Sequence, residues 1–353
     1  MGRAPRHDRL RGDQRHRPAH PAAVHVSSRT RKIAGIAAGA IVGAAALGYA
    51  AHRAIRGIRS RRDPDAGTLG PLVFDEARRL PSHDGGSLYT VSRGSGPPIV
   101  FLHGVTITSQ VWVKQFATLP SPGVRVVALD HRGHGESTVG DTGHSVANLA
   151  ADVRTVLEAL DLSDVILVGH SMGGLAVEAF AVQHPEVAAA RVRGLVLAST
   201  FARTYIGGVG PFGFVAEQVT GRSPAMNGLM TLLLARMGFG REPLPSHVEL
   251  TRSMLAACPP ETQRAAVKAI VNADLTDELS SITLPTLVLC GTADALTPPR
   301  EARRIASLIP GARLELFAGA GHMLMLERTE RFDELLLEFA RDVGALEAIP
   351  KSA

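Results

Sequence analysis

Cysteine is nearly absent from this chain of 353 residues. The two that occur, Cys258 and Cys290, are far apart and lack metal-ligand spacing. They encode no disulfide framework and no zinc or iron–sulfur ligand set. They can pair only if the fold brings them together, and two buried thiols is the simpler expectation. No haem ligand set is visible either, so no metal and no cofactor is expected. An excess of basic charge is also missing where a nucleic-acid-binding catalytic domain would need it. The net charge is +5, yet residues 1–62 carry 14 Lys/Arg against 2 Asp/Glu, leaving 24 basic and 31 acidic residues for 63–353. The body is mildly acidic, which argues against nucleic acid as a partner. A composition of 45% apolar and 20% charged residues is that of a globular protein, long enough to bury a full core.

The first 32 residues are rich in Arg, His and Pro and lack apolar periodicity, so they read as a disordered basic N-terminus. Residues 33–51 contain no charged side chain. Nineteen residues of helix reach roughly 28 Å, close to the ~30 Å of a bilayer's hydrocarbon layer. The expectation is a single transmembrane helix or signal anchor over 33–51, holding the protein to a membrane. A cleaved leader with a secreted product is the alternative, because Gly48-Tyr49-Ala50 offers small residues at signal-peptidase spacing. Arginines and a lysine flank the segment on both sides, so its orientation is open. Gly35, Gly39 and Gly43 recur at the spacing that lets membrane helices approach, which leaves a homo-oligomer open. Residues 52–71 read as a linker.

From residue 72 the pattern becomes regular. Apolar runs at 99–102, 124–129, 165–168, 195–198, 286–290 and 314–317 read as buried strands. An earlier pair at 73–80 and 87–92 flanks the turn signal His83-Asp84-Gly85-Gly86. Helical periodicity fills 111–119, 146–160, 172–183, 300–308 and 330–343, with Ser145 placed to cap the second of these. Strands alternating with helices predict an α/β fold, a mainly parallel sheet with helices on both faces. The alternation stops at 201–274, where Met-bearing apolar stretches read as a helical cap inserted between core segments 72–200 and 275–345.

The chemistry centres on Gly169-His-Ser171-Met-Gly173-Gly174. A strand precedes it and a helix follows, the context in which a Gly-x-Ser-x-Gly match carries a nucleophile. The turn is tight enough to require glycines, and it lifts the Ser171 hydroxyl to a helix N-terminus that favours nearby negative charge. A serine hydroxyl needs a base, and the base an orienting acid, expected in the order serine, acid, histidine. Asp294 follows the strand at 286–290 in Gly291-Thr-Ala-Asp294, and His322 follows the last strand. Both fall at the carboxyl edge of the sheet, where open α/β sheets place ligands. Asp274 or Asp277 could stand in for Asp294. Oxyanion donors are expected at the backbone N–H groups of Met172 and of Val105, in the loop after the strand at 99–102. His103 is expected to brace that loop, and His170 occupies a variable position of the elbow.

Together, Phe101-Leu-His-Gly104, Trp112, the run Asp130-His-Arg-Gly-His-Gly-Glu-Ser137, the elbow, Gly291-Thr-Ala-Asp294 and Gly321-His322 resemble the α/β-hydrolase superfamily. The resemblance spans about 72–345 and points to the capped esterase, lipase and haloperoxidase-like branch. It implies that the run from Asp130 is a structural turn with non-catalytic histidines. The leading expectation is a cofactor-free serine hydrolase cleaving a small-molecule carboxylic ester with an apolar or lipidic acyl group. Perhydrolase or haloperoxidase-like activity, thioester hydrolysis and carbon–carbon bond hydrolysis use the same triad and stay open. A non-catalytic binding protein of this fold would be expected to have lost the triad, and here all three residue types are present.

Overall fold

The computed structural model describes residues 60–120, 123–203 and 224–347. The expectations for 1–32 and 33–51 fall outside the described residues.

Eight strands form one sheet in the order β1-β2-β4-β3-β5-β6-β7-β8. They are β1 (Glu76–Pro81), β2 (Ser87–Arg93), β3 (Pro98–Leu102), β4 (Arg125–Leu129), β5 (Val165–His170), β6 (Val192–Ala198), β7 (Thr286–Gly291) and β8 (Arg313–Phe317). β2 runs antiparallel to β1 and β4, and every pairing from β4 to β8 is parallel. Parallel strands need crossovers, and helices supply them: α1 (Val113–Thr118), α2 (Val146–Ala159), α3 (Met172–Gln183), α4 (Pro185–Arg191) and α8 (Pro299–Leu308), while α9 (Leu324–Glu327) and α10 (Thr329–Asp342) follow the last strand. Three more, α5 (Pro224–Met237), α6 (Pro245–Ala257) and α7 (Pro260–Val271), lie between β6 and β7.

The central strands are apolar throughout because both faces are covered. Alternate residues go to opposite sides. Val100, Leu102, Leu167, Leu195 and Leu197 join the core beneath α2 and α3, whereas Ile99, Phe101, Ile166, Val168 and Val196 join the core with Trp112 and α10. The turn signal at 83–86 does join an antiparallel hairpin, with Gly85 at φ +85°. Ser145 caps α2 through a 3.0 Å bond accepted from the Asn148 N–H. Cys258 and Cys290 are unpaired and buried.

The run from Asp130 is a buried brace. The Asp130 carboxylate accepts the backbone N–H groups of Ser109 (2.8 Å) and Glu136 (3.1 Å). Arg132 is fully buried between Asp84 and Asp152, at 3.0 and 2.7 Å. Gly135 lies against the Asp130 carboxylate at φ +52°, a place with no room for a Cβ.

Glu178 is an anomaly in this core. It lies inside α3, fully buried, and neither carboxylate oxygen has a partner among the described residues. Burial pushes its pKa well above the ordinary glutamate value. A raised folded-state pKa means that the native state holds a proton the unfolded chain has released, so stability falls as pH rises above the unfolded value. Glu178→Leu keeps helix propensity and removes the unsatisfied group. It should stabilise the protein by about 1–3 kcal/mol, raising Tm by several degrees. The gain should be larger at pH 8 than at pH 5. Thermal melts at the two pH values test this, and an unchanged or lower Tm at pH 8 refutes it.

Candidate active site

Three loops at the carboxyl edge of the sheet converge on one cavity. The first is the turn from β5 into α3. Ser171 adopts φ 54° and ψ −117°, a backbone conformation that residues other than glycine seldom take. The strain persists because the surroundings fix both flanks. The Ser171 N–H donates to the Ala198 carbonyl at 3.0 Å, and its own carbonyl accepts the Thr200 hydroxyl at 2.7 Å. A side chain at Gly169 would strike the backbone of Gly173, and one at Gly173 would strike the Leu102 and His103 carbonyls. The two glycines of the elbow are thus demanded by close backbone approach, as the sequence pattern predicted.

The second loop follows β7 and carries Asp294, and the third follows β8 and carries His322. Their side chains meet, with His322 Nδ1 2.9 Å from Asp294 Oδ2. Asp294 Oδ1 accepts the N–H groups of Leu296 and Thr297, both at 2.9 Å. The Thr297 hydroxyl donates to Oδ2 at 2.8 Å and lies 3.1 Å from His322 Nδ1. Burial alone would raise the Asp294 carboxyl. The charge and hydrogen bond of His322, with the donors of Thr297, outweigh it and hold the pKa below the ordinary value. An ionised carboxylate only accepts, so Nδ1 carries a hydrogen, and in the neutral ring it is Nε2 that has the lone pair. Asp274 and Asp277, the other candidate acids, are exposed, and neither bonds to His322. Asp274 instead pairs with Arg203 at 3.4 Å.

The backbone of His322 is clamped from both sides. Its N–H donates to the Gly238 carbonyl at 2.8 Å, and its carbonyl accepts Nε2–H of His170 at 3.0 Å. Glu327 bridges the N–H groups of Gly240 and Gly321, each at 2.8 Å. Thr297, Glu327 and the clamp role of His170 escaped sequence reasoning. Only Thr297 left a local trace, since a threonine three residues after an aspartate can close a side-chain turn.

Ser171 and His322 line the same cavity, of about 890 Å³ including its open mouth. No hydrogen bond joins Ser171 Oγ to the His322 ring in this structure. Val105 and Met172, the expected oxyanion donors, flank Ser171 on the loop after β3 and on the first turn of α3. Neither N–H has an acceptor among the described residues. His103 and His134 hold the Val105 loop in place: Nδ1–H of His103 donates to the Gly104 carbonyl at 2.7 Å, and Nε2 of His134 accepts the Thr106 N–H at 3.1 Å. Burial pushes their pKa values down to about 4 and about 3, so both rings are neutral braces at pH 7.

The rest of the lining comes from Ile107, Leu234, Met237, Leu255, Val267 and Leu296, with Thr231, Thr251 and Gln263 as polar points. Among the described residues that line it there is no Lys, Arg, Asp or Glu. Among the described residues no group of three or more His, Cys, Asp or Glu side chains is arranged to hold a metal ion. Of the apolar stripe that the sequence shows in 201–274, Leu234 and Met237 face the cavity and Phe239 packs into the core. Phe212, Phe214 and the side chains of Leu229 and Met230 lie outside the described residues.

Comparison with known proteins agrees with this fold. The chain is 31% identical over 277 residues to a non-heme haloperoxidase of Rhodococcus erythropolis, covering 72% of this chain and 96% of that one. Its fold matches an esterase from Exiguobacterium antarcticum with a TM-score of 0.69 at 26% identity, over 75% of this chain and all of the other. An enol-lactonase from Burkholderia xenovorans LB400 matches with a TM-score of 0.66 at 27% identity, over 75% of this chain and all of that one.

These findings correct the expectation of a membrane-anchored protein. Among the described residues no helix is long and apolar enough to cross a membrane. The haloperoxidase relative is taken up almost end to end by the match, which leaves it no room for an added anchor. The physical reason lies in the composition of 33–51. An Ala/Gly-rich stretch has span length but gains little from entering lipid.

A family model described as the alpha/beta hydrolase fold matches residues 97–329, which take in the elbow, Asp294 and His322. The chain belongs to the α/β-hydrolase family.

Proposed function

We propose that this protein is a serine hydrolase that cleaves neutral carboxylic esters with apolar acyl groups, using Ser171, His322 and Asp294. The observation that carries the reading is the 2.9 Å bond from His322 Nδ1 to Asp294 beside a strained elbow serine. Esterases among the solved structures of similar fold support it.

In the reaction, Ser171 Oγ attacks the ester carbonyl carbon and gives its proton to His322 Nε2. The resulting imidazolium is stabilised by Asp294. The carbonyl oxygen becomes an oxyanion that accepts the free N–H groups of Val105 and Met172. His322 then protonates the leaving alcohol as the tetrahedral intermediate collapses to an acyl-enzyme. Water repeats the sequence, losing its proton to His322, and releases the carboxylic acid and free Ser171. Helices α5–α7, within 201–274, act as the cap that shapes the acyl site.

The uncharged lining leads to a specific expectation. A carboxylate buried without a partner costs several times RT. A p-nitrophenyl ester of butyric or hexanoic acid should exceed the succinate half-ester by at least about tenfold in kcat/KM. Equal rates on the charged and neutral esters would remove the apolar-acyl reading. A second reading, perhydrolysis, is favoured by the curated relatives named non-heme haloperoxidase and non-heme chloroperoxidase. Hydrogen peroxide replacing water at the acyl-enzyme would release a peracid, so adding peroxide to the ester assay tests it.

A further inference from the structure

The segment just before β1 touches one of the helices that line the cavity, α6. Helix α6 contributes Thr251 and Leu255 to the lining, yet its own N-cap residue, Leu244, offers no side-chain acceptor. The first N–H groups of a helix need one. Asp63 supplies it from 183 residues away in the chain, accepting the Ser246 N–H at 2.7 Å and the Ser246 hydroxyl at 3.1 Å. A carboxylate there also complements the positive end of the helix. Two residues on, Asp65 Oδ2 accepts from His247 Nε2 at 2.6 Å and from Lys114 Nζ of α1 at 2.5 Å. Lys114 belongs to the core and His247 to α6, so Asp65 ties the two together.

The other end of the segment is fastened to the core as well. The Gln110 side chain donates to the Gly70 carbonyl and accepts the Leu72 N–H, both at 2.8 Å. Leu72 packs against the core that holds Trp112. His247 itself is almost fully buried beside Phe239, with rings 6.3 Å apart. The segment thus runs from a core anchor to the N-terminus of a cavity-lining helix, and its two carboxylates make the junction. None of its residues lines the cavity.

We propose that residues 63–72 form a strap that fixes α6 over Ser171 and so sets how long an acyl group the cavity holds, with Asp63 and Asp65 as positioning residues. The proposal rests on the ester-hydrolase reading for its kinetic consequence, but its structural consequence stands apart. Without the strap, α6 loses its cap and its tie to α1, and Thr251 and Leu255 lose their fixed place. Binding of an acyl chain long enough to reach them should weaken, while attack on a short one should not.

The test uses the full chain with Asp63→Ala/Asp65→Ala together, the milder Asp65→Asn, and Lys114→Met, which attacks the junction from the core side. Two quantities are read: hydrolysis of p-nitrophenyl acetate against octanoate, and amide hydrogen exchange across 245–257. The double variant should raise KM for octanoate about tenfold, the scale of a lost cap with its ion pair, and leave kcat for acetate within about twofold. Exchange at 245–257 should quicken while exchange in β5 and β6 stays slow. Asp65→Asn and Lys114→Met should shift both quantities the same way by less, and they keep the test open if the double variant does not fold. Unchanged exchange at 245–257 in a folded variant, or octanoate and acetate falling in parallel, overturns the strap. If wild type cleaves neither ester, the ester reading fails, and the exchange measurement still decides the strap.

Discussion

Ser171→Ala should lower kcat for p-nitrophenyl butyrate by about 10³-fold to 10⁶-fold, with KM changed little. Loss of the nucleophile removes the covalent route, and the surviving rate is what the oxyanion donors and binding supply by themselves. The protein should stay folded. The hydroxyl has no hydrogen-bond partner among the described residues, and the elbow is held by backbone bonds and by the Thr200 hydroxyl on the Ser171 carbonyl. Alanine at φ 54° meets the same strain that serine already bears. A fluorophosphonate probe should label the wild type and not the variant. Labelling or hydrolysis that survives in Ser171→Ala would place the nucleophile elsewhere.

Asp294→Asn should cost about 10⁴-fold in kcat while the fold and substrate binding persist. An asparagine oxygen can still accept the Leu296 and Thr297 N–H groups that the Oδ1 atom takes now. Its amide then faces His322 Nδ1, where Oδ2 lies at 2.9 Å. An amide donor there requires Nδ1 to accept, which moves the ring hydrogen to Nε2 and removes the base from Ser171. The loss is therefore one of tautomer, not of packing. Thr297→Val should be far milder, because it deletes one donor to Oδ2 and leaves the acid in place. Asp274→Asn is the matching control. Asp274 is exposed and paired with Arg203, so its amide should leave kcat within about twofold, the scale of surface substitutions. Near-normal turnover in Asp294→Asn with loss in Asp274→Asn would reverse the assignment.

Much of this site was legible before any fold was known because it is written in local terms. Glycines at 169 and 173 report a turn with no space for side chains, and apolar runs of strand length report burial on both faces. Serine, aspartate and histidine each follow such a run, so chain order alone points all three to one edge. The hairpin turn at 83–86 and the Ser145 cap are local in the same sense. Local pattern failed where distance in sequence matters. Nothing around Ser246 shows that its helix is capped by Asp63, and nothing around His170 shows that its ring holds the His322 carbonyl.

Local pattern along the chain is enough to give the fold class, the strand–turn–helix elbow and the order of the three candidate groups. Each of these depends on residues a few positions apart and on backbone sterics that any chain obeys. Which acid meets His322, which histidines are neutral braces, and which apolar side chains of α5 and α6 face the cavity instead of the core emerge only from the folded chain. Those outcomes depend on burial and on partners brought together from distant parts of the chain. A hydrogen bond across 28 residues, as between Asp294 and His322, exists only once the sheet has set the two loops side by side.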